Sequence, residues 1–262
     1  MKNLSLIRFK SEDRETPFAP NWDYRLIEGE IDDVDFNYIA RYLLNKKNEI
    51  LKIKPSKGDG FTGLGVNSTT ARHSDYNIFN FGDNEINKLK LNILFLHSQL
   101  IQSIGPEEFN KYQFDGLYIQ CWYNVMSKGQ KILPHLHDVA PVCYLGGHIT
   151  VQCDDTYTGY INPINQINKP DVHKSKNKVG KITLFPNYLP HFTNKHNADK
   201  ERITIAFDLM TRKDYIAIAR VLNKYSHDLP EGLMFDFSVM LRKDNNQFNA
   251  ERFSEAVYGE DK

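Results

Sequence analysis

Two segments in the first hundred residues carry the apolar spacing of amphipathic helices. Phe36, Ile39, Ala40, Leu43 and Leu44 share one helical face behind the acidic pair Asp32-Asp33, which reads as a helix start. Ile86, Leu89, Ile93, Leu96, Leu100 and Ile104 form a second and clearer stripe, with Asp83 as its cap and Gly105-Pro106 as its stop. A polar, Gly-rich stretch lies between the two. From about Gly116 the pattern changes to short runs of β-branched and aromatic residues broken by Gly, Pro, Asn and Asp, and predicts strands at 117–126, 143–153, 157–161, 180–186 and 201–210. Short strands with no helical pattern between them predict an antiparallel sandwich or barrel. Residues 162–178 read as a long exposed loop. Helical spacing returns in Asp214–Tyr225, and the last forty residues are charged with scattered apolar anchors.

At 262 residues the chain is long enough for one domain with a sizeable core. The expected organisation is a single domain, 1–262, in three stretches: an N-terminal helical and loop region (1–112), a β core (113–210) and a C-terminal helical extension (211–262). Acidic and basic side chains balance at 33 each, which removes any general electrostatic case for nucleic acid or an anionic membrane as partner. No signal-like or membrane-spanning apolar run is present, so a soluble, cytoplasmic protein is expected. Abundant Asn, Lys and Ile suit an AT-rich bacterial or viral genome, and a viral source would make that cytoplasm the host's. Cys121, Cys143 and Cys153 lie in strand-like segments without metal-type spacing and read as buried, reduced thiols.

The chemistry concentrates at Pro134-His135-Leu136-His137-Asp138. On an extended chain His135 and His137 project from one face, so two imidazoles can share an ion. His191, in LFPNYLPHFTN, offers a third ligand. Three protein ligands on one face of an octahedral ion leave three sites open, as oxygen-activating iron requires. In the strand that follows, Arg202, Thr204 and Ala206 alternate with Ile203, Ile205 and Phe207, placing a guanidinium and a hydroxyl together on one face. An inward Arg beside a hydroxyl can clamp a dicarboxylate. On strand 117–126, Tyr118, Gln120, Trp122 and Asn124 share a polar face. On strand 143–153, Tyr144, His148 and Thr150 do the same, with Gly146-Gly147 allowing close backbone approach. Gly58–Gly63 formally matches G-x-G-x-x-G, but without a preceding strand or a following helix it reads as a loop. Thr69–Tyr76 reads equally as a substrate-facing loop or as a surface connection.

The order His-x-His, Phe-Pro-x-x-x-x-His, Arg-x-Thr resembles the 2-oxoglutarate and Fe(II)-dependent oxygenase superfamily. Its ERITIAFD ending is most similar to oxygenases assigned in bacteria and marine phages. The resemblance covers about residues 117–210. It implies a mainly β fold with flanking α: a double-stranded β-helix (jelly-roll or cupin-like) core with the N-terminal helices packed on it. It also implies His135 and His191 as iron ligands, and Arg202 with Thr204 on the distal carboxylate of 2-oxoglutarate. Asn124, Tyr118 and Tyr144 are further candidate co-substrate contacts. The commonest superfamily pattern is His-x-Asp/Glu. Here His137 stands at the middle position, with Asp138 as the alternative ligand.

The activity implied is hydroxylation of an unactivated C–H bond with Fe(II), 2-oxoglutarate and O2, ascorbate being an optional reductant. A protein or peptide side chain such as proline is the first substrate expected, a small molecule the second. Two other readings stay open: a three-histidine, cupin-like dioxygenase that does not use 2-oxoglutarate, and a non-catalytic metal- or ligand-binding module.

Overall fold

A computed structural model describes residues 1–105, 107–108, 117–137, 143–163 and 171–211. In chain order the strands are β1 (Lys2–Lys10) and β2 (Asp23–Glu30), followed by helices α1 (Phe36–Leu51) and α2 (Asn84–Ile104). Then come β3 (Leu117–Met126), β4 (Cys143–Gln152), β5 (Tyr157–Ile161), β6 (Val172–Lys176), β7 (Lys181–Pro186), β8 (His191–Thr193) and β9 (Arg202–Thr211). The chain divides into two units, Met1–Gln113 with Ile119–Met210, and Phe114–Tyr118 with Thr211–Lys262. Apart from the ends of β3 and β9, every element named here belongs to the first. Asp138, the helix expected at Asp214–Tyr225 and nearly all of the C-terminal extension lie outside the described residues.

Six strands form one sheet in the order β1-β2-β7-β4-β9-β3, and three form a second in the order β6-β5-β8. An isolated antiparallel bridge between His135 and His191 adds a rung beside β8. From β3 onward the chain passes from the large sheet to the small one and back repeatedly, which is the winding of a double-stranded β-helix. The internal strand β9 is buried on both faces from Arg202 to Leu209, as its position between β4 and β3 demands.

Both helices form where the apolar stripes place them. The Asp83 carboxylate accepts from the Ile86 amide at 3.0 Å, closing an orphan donor of α2, and Ile86, Leu89, Ile93, Leu96 and Leu100 are buried. On α1 the cap is Asp35, not the Asp32-Asp33 pair, accepting from Tyr38 N at 2.9 Å. α2 packs on β2 and β7, and α1 on β4.

The N-terminal region departs from the helical expectation. β1 and β2 extend the large sheet beyond β7, with Ile27 opposite Leu184 and Gly29 opposite Ile182. As the edge strand, β1 keeps most of its side chains in solvent, including Leu4 and Leu6, so no clean apolar alternation marks it. The loop expected over 162–178 contains β6, paired in register with β5 from Val172 opposite Ile161 to Lys176 opposite Tyr157. Residues 164–170 of that stretch lie outside the described residues.

Candidate metal and co-substrate site

Three imidazoles converge where the small sheet ends. His135 and His191 exchange both backbone hydrogen bonds, each at 3.1 Å, so their side chains stand directly opposite on one face. Their ring centroids are 4.3 Å apart, and His137 brings its ring to 5.0 Å from that of His191. One ring nitrogen from each of the three lies within 4.8 Å of the other two.

Hydrogen bonds decide which nitrogens these are. His135 Nδ1 is 2.9 Å from the Leu133 carbonyl, and His191 Nδ1 is 3.1 Å from the Leu189 carbonyl. A carbonyl oxygen only accepts, so both Nδ1 atoms carry the proton and both Nε2 lone pairs are left for a metal. His137 Nδ1 stands 2.5 Å from Asp208 Oδ1, which holds its Nε2 in the same role. Burial, followed by the neighbouring imidazoles, pushes His135 down to about 4 and His191 well below the usual histidine value. Both are therefore neutral at neutral pH, the form that binds metal.

The same cavity, about 840 Å³, is lined by Arg202, Thr204, Trp122, Asn124, His148 and Asp208 together with the three imidazoles. Arg202 is 1% exposed. Its Nη2 donates to Asn177 at 3.0 Å when that amide turns its oxygen inward, while Nε and Nη1 find no partner among the described residues. Thr204 Oγ1 and Trp122 Nε1 are buried and likewise without a partner among the described residues. Burial lowers the guanidinium to about 10, still charged at neutral pH. A buried cation with free donors is costly unless an anion completes it. The donor set therefore fits a carboxylate of 2-oxoglutarate, and the imidazoles fit a ferrous ion.

Residues 120–208 match the family model described as "Putative 2OG-Fe(II) oxygenase", about a third of the chain. This stretch is similar to a 2OG-Fe(II) oxygenase core. No curated protein matches the chain. Among solved structures, a 2OG-Fe(II) oxygenase family oxidoreductase from Burkholderia pseudomallei is 19% identical at a TM-score of 0.30, over 36% of this chain and 45% of that one. A prolyl-4-hydroxylase from Pseudomonas putida is 12% identical at a TM-score of 0.38, over 50% of this chain and 68% of that one. The epimerase SnoN from nogalamycin biosynthesis is 11% identical at a TM-score of 0.46, over 71% of this chain and 76% of that one. The chain thus spans less than half of the Burkholderia pseudomallei protein.

Within this stretch, His135, His137, Arg202, Thr204 and Asn124 share the cavity as their alternation predicts, and strand pairing brings His191 to them. Asn124 Oδ1 accepts from Thr70 Oγ1 at 2.6 Å. Tyr118 and Tyr144 are absent from the described residues lining the cavity. Tyr144 instead bonds His97 of α2 at 2.9 Å, because a register shift between Cys143 and Leu145 breaks the alternation that would have turned it inward.

Other lining residues come from segments with weak or no sequence signal. Thr70 opens a short 3-10 helix at Thr70–Arg72 and His73 caps it, and these two residues of the Thr69–Tyr76 stretch face the cavity. Lys57–Thr62, which carries most of the G-x-G-x-x-G match, is a loop at the mouth, tied to the histidine segment by Leu133 N donating to Thr62 O at 2.9 Å. Asp208 was legible in principle, since it continues the Arg202, Thr204, Ala206 alternation by one more step. No helix among the described residues is long and apolar enough to cross a membrane.

Proposed function

We propose that this protein is an Fe(II)- and 2-oxoglutarate-dependent oxygenase that hydroxylates an unactivated C–H bond. One observation carries the reading: three imidazoles whose ring nitrogens converge share a cavity with a buried Arg202 whose Nε and Nη1 have no partner among the described residues. When bound, Fe(II) with 2-oxoglutarate and dioxygen supplies the oxidising chemistry, consuming 2-oxoglutarate to succinate and carbon dioxide.

The chain's own residues orient and enclose. His135, His137 and His191 would hold the ion. Arg202 Nε and Nη1 and Thr204 Oγ1 would bind the distal carboxylate, giving the guanidinium the counter-ion its burial calls for. Trp122 Nε1 is a further donor toward the same ligand. The substrate would enter past Phe61, Pro134 and Leu136, apolar residues that line the cavity together with Lys57 and Asp59. The apolar residues suit a protein or peptide side chain such as proline.

Succinate release in the presence of Fe(II), ascorbate, O2 and 2-oxoglutarate tests the activity. Calorimetric binding of 2-oxoglutarate that depends on Mn(II) tests the site. Absence of both overturns the proposal. His137 in place of the commoner carboxylate favours one rival, a three-histidine dioxygenase in which Arg202 binds the substrate's own carboxylate. Metal binding without any 2-oxoglutarate binding would select it.

A further inference from the structure

The middle ligand position, where the commonest superfamily pattern has a carboxylate, is held by His137, yet a carboxylate is still present one bond further out. Asp208 Oδ1 accepts from His137 Nδ1 at 2.5 Å, and both side chains are nearly enclosed. Among the described residues no lysine or arginine pairs with Asp208, and its ion-pair partner there is the His137 imidazole.

The surrounding architecture is built for this contact. Asp208 on β9 lies directly across from Gly146 on β4. A β-carbon at Gly146 would come within 2.5 Å of His137 Nδ1, so the missing side chain opens the slot in which the imidazole meets the carboxylate. The rings of Trp122 and Phe185, at 5.7 and 5.4 Å, flank the same imidazole.

We propose that Asp208 is a positioning residue for the metal, returning through His137 the negative charge that a directly ligating carboxylate would supply. This rests on the iron site proposed above. Three neutral imidazoles leave a ferrous centre one charge more positive than two imidazoles and a carboxylate. An aspartate bonded to Nδ1 makes that imidazole a stronger donor, fixes its tautomer and partly restores the balance.

A double-mutant cycle read by Mn(II) calorimetry tests the idea. Asp208→Asn preserves shape and an accepting oxygen but removes the charge, and should weaken Mn(II) roughly 10- to 100-fold. In a His137→Asp background, where a carboxylate itself stands at the middle position, Asp208→Asn should change Mn(II) affinity by less than about twofold. An equal loss in both backgrounds, or unfolding in both by circular dichroism, makes Asp208 merely structural and overturns the proposal. Unchanged affinity in Asp208→Asn overturns it while leaving the iron site standing. Failure of the unmutated protein to bind Mn(II) overturns the iron site itself.

Discussion

Gly146 lies against the imidazole of His137, so close that a β-carbon there would stand 2.5 Å from Nδ1 and 3.0 Å from Asn187 Oδ1. The need for glycine at this position is therefore steric and local to the site. Gly146→Ala should displace His137 and weaken Mn(II) by roughly 10-fold or more, the scale on which support of a metal-bound histidine acts. Calorimetric titration checks this, with circular dichroism confirming that the sheet is intact.

Arg202 is held at a cost that only its ligand offsets. Without co-substrate, Arg202→Met should raise stability by on the order of 1 kcal/mol, because a buried, incompletely paired guanidinium is removed. The same variant should bind Mn(II) normally and lose the thermal stabilisation by 2-oxoglutarate, which amounts to about 2.7 kcal/mol at a hundredfold excess over Kd. Thermal melts with Mn(II), with and without 2-oxoglutarate, separate the two effects. A lower melting temperature without ligand would count against the argument.

His97 gives a pH dependence remote from the cavity. Burial between α2 and the large sheet pushes it down to about 4 while its Nε2 bonds Tyr144. The folded value lies below that of the unfolded chain. Between about pH 6.5 and 4 the unfolded state thus binds the extra proton, and stability falls as pH falls. The contribution approaches roughly 1.4 kcal/mol per pH unit in that window. Urea denaturation at several pH values should show a shallower acid slope in His97→Gln than in the unmutated protein.

Phe61 sits at the cavity mouth with φ +62 and is 89% exposed, a left-handed conformation held by an aromatic residue that buries almost nothing. Phe61→Gly should therefore stabilise the fold by about 1 kcal/mol. A stabilised variant with weaker substrate-dependent turnover would show that the strain is kept for contact with substrate. Urea denaturation measures the first quantity and coupled succinate release the second.

Much of this protein was legible from local pattern. Period-two alternation located β3, β4, β5, β7 and β9 to within a residue or so, and put Arg202 beside Thr204 and His135 beside His137. The helical stripe and Asp83 located α2. These are properties of a few neighbouring residues, because backbone geometry alone decides which side chains share a face.

The tertiary structure decided the rest, through contacts that no local period encodes. Strand pairing set His191 opposite His135 and Asp208 opposite Gly146. One register shift turned Tyr144 away from the cavity, and β1 and β2 joined the large sheet although their own patterns are weak. Register is a choice between distant segments, made by which faces can be buried together. The sequence therefore determined the chemical groups and the faces they occupy, and only the folded sheets determined which of them meet.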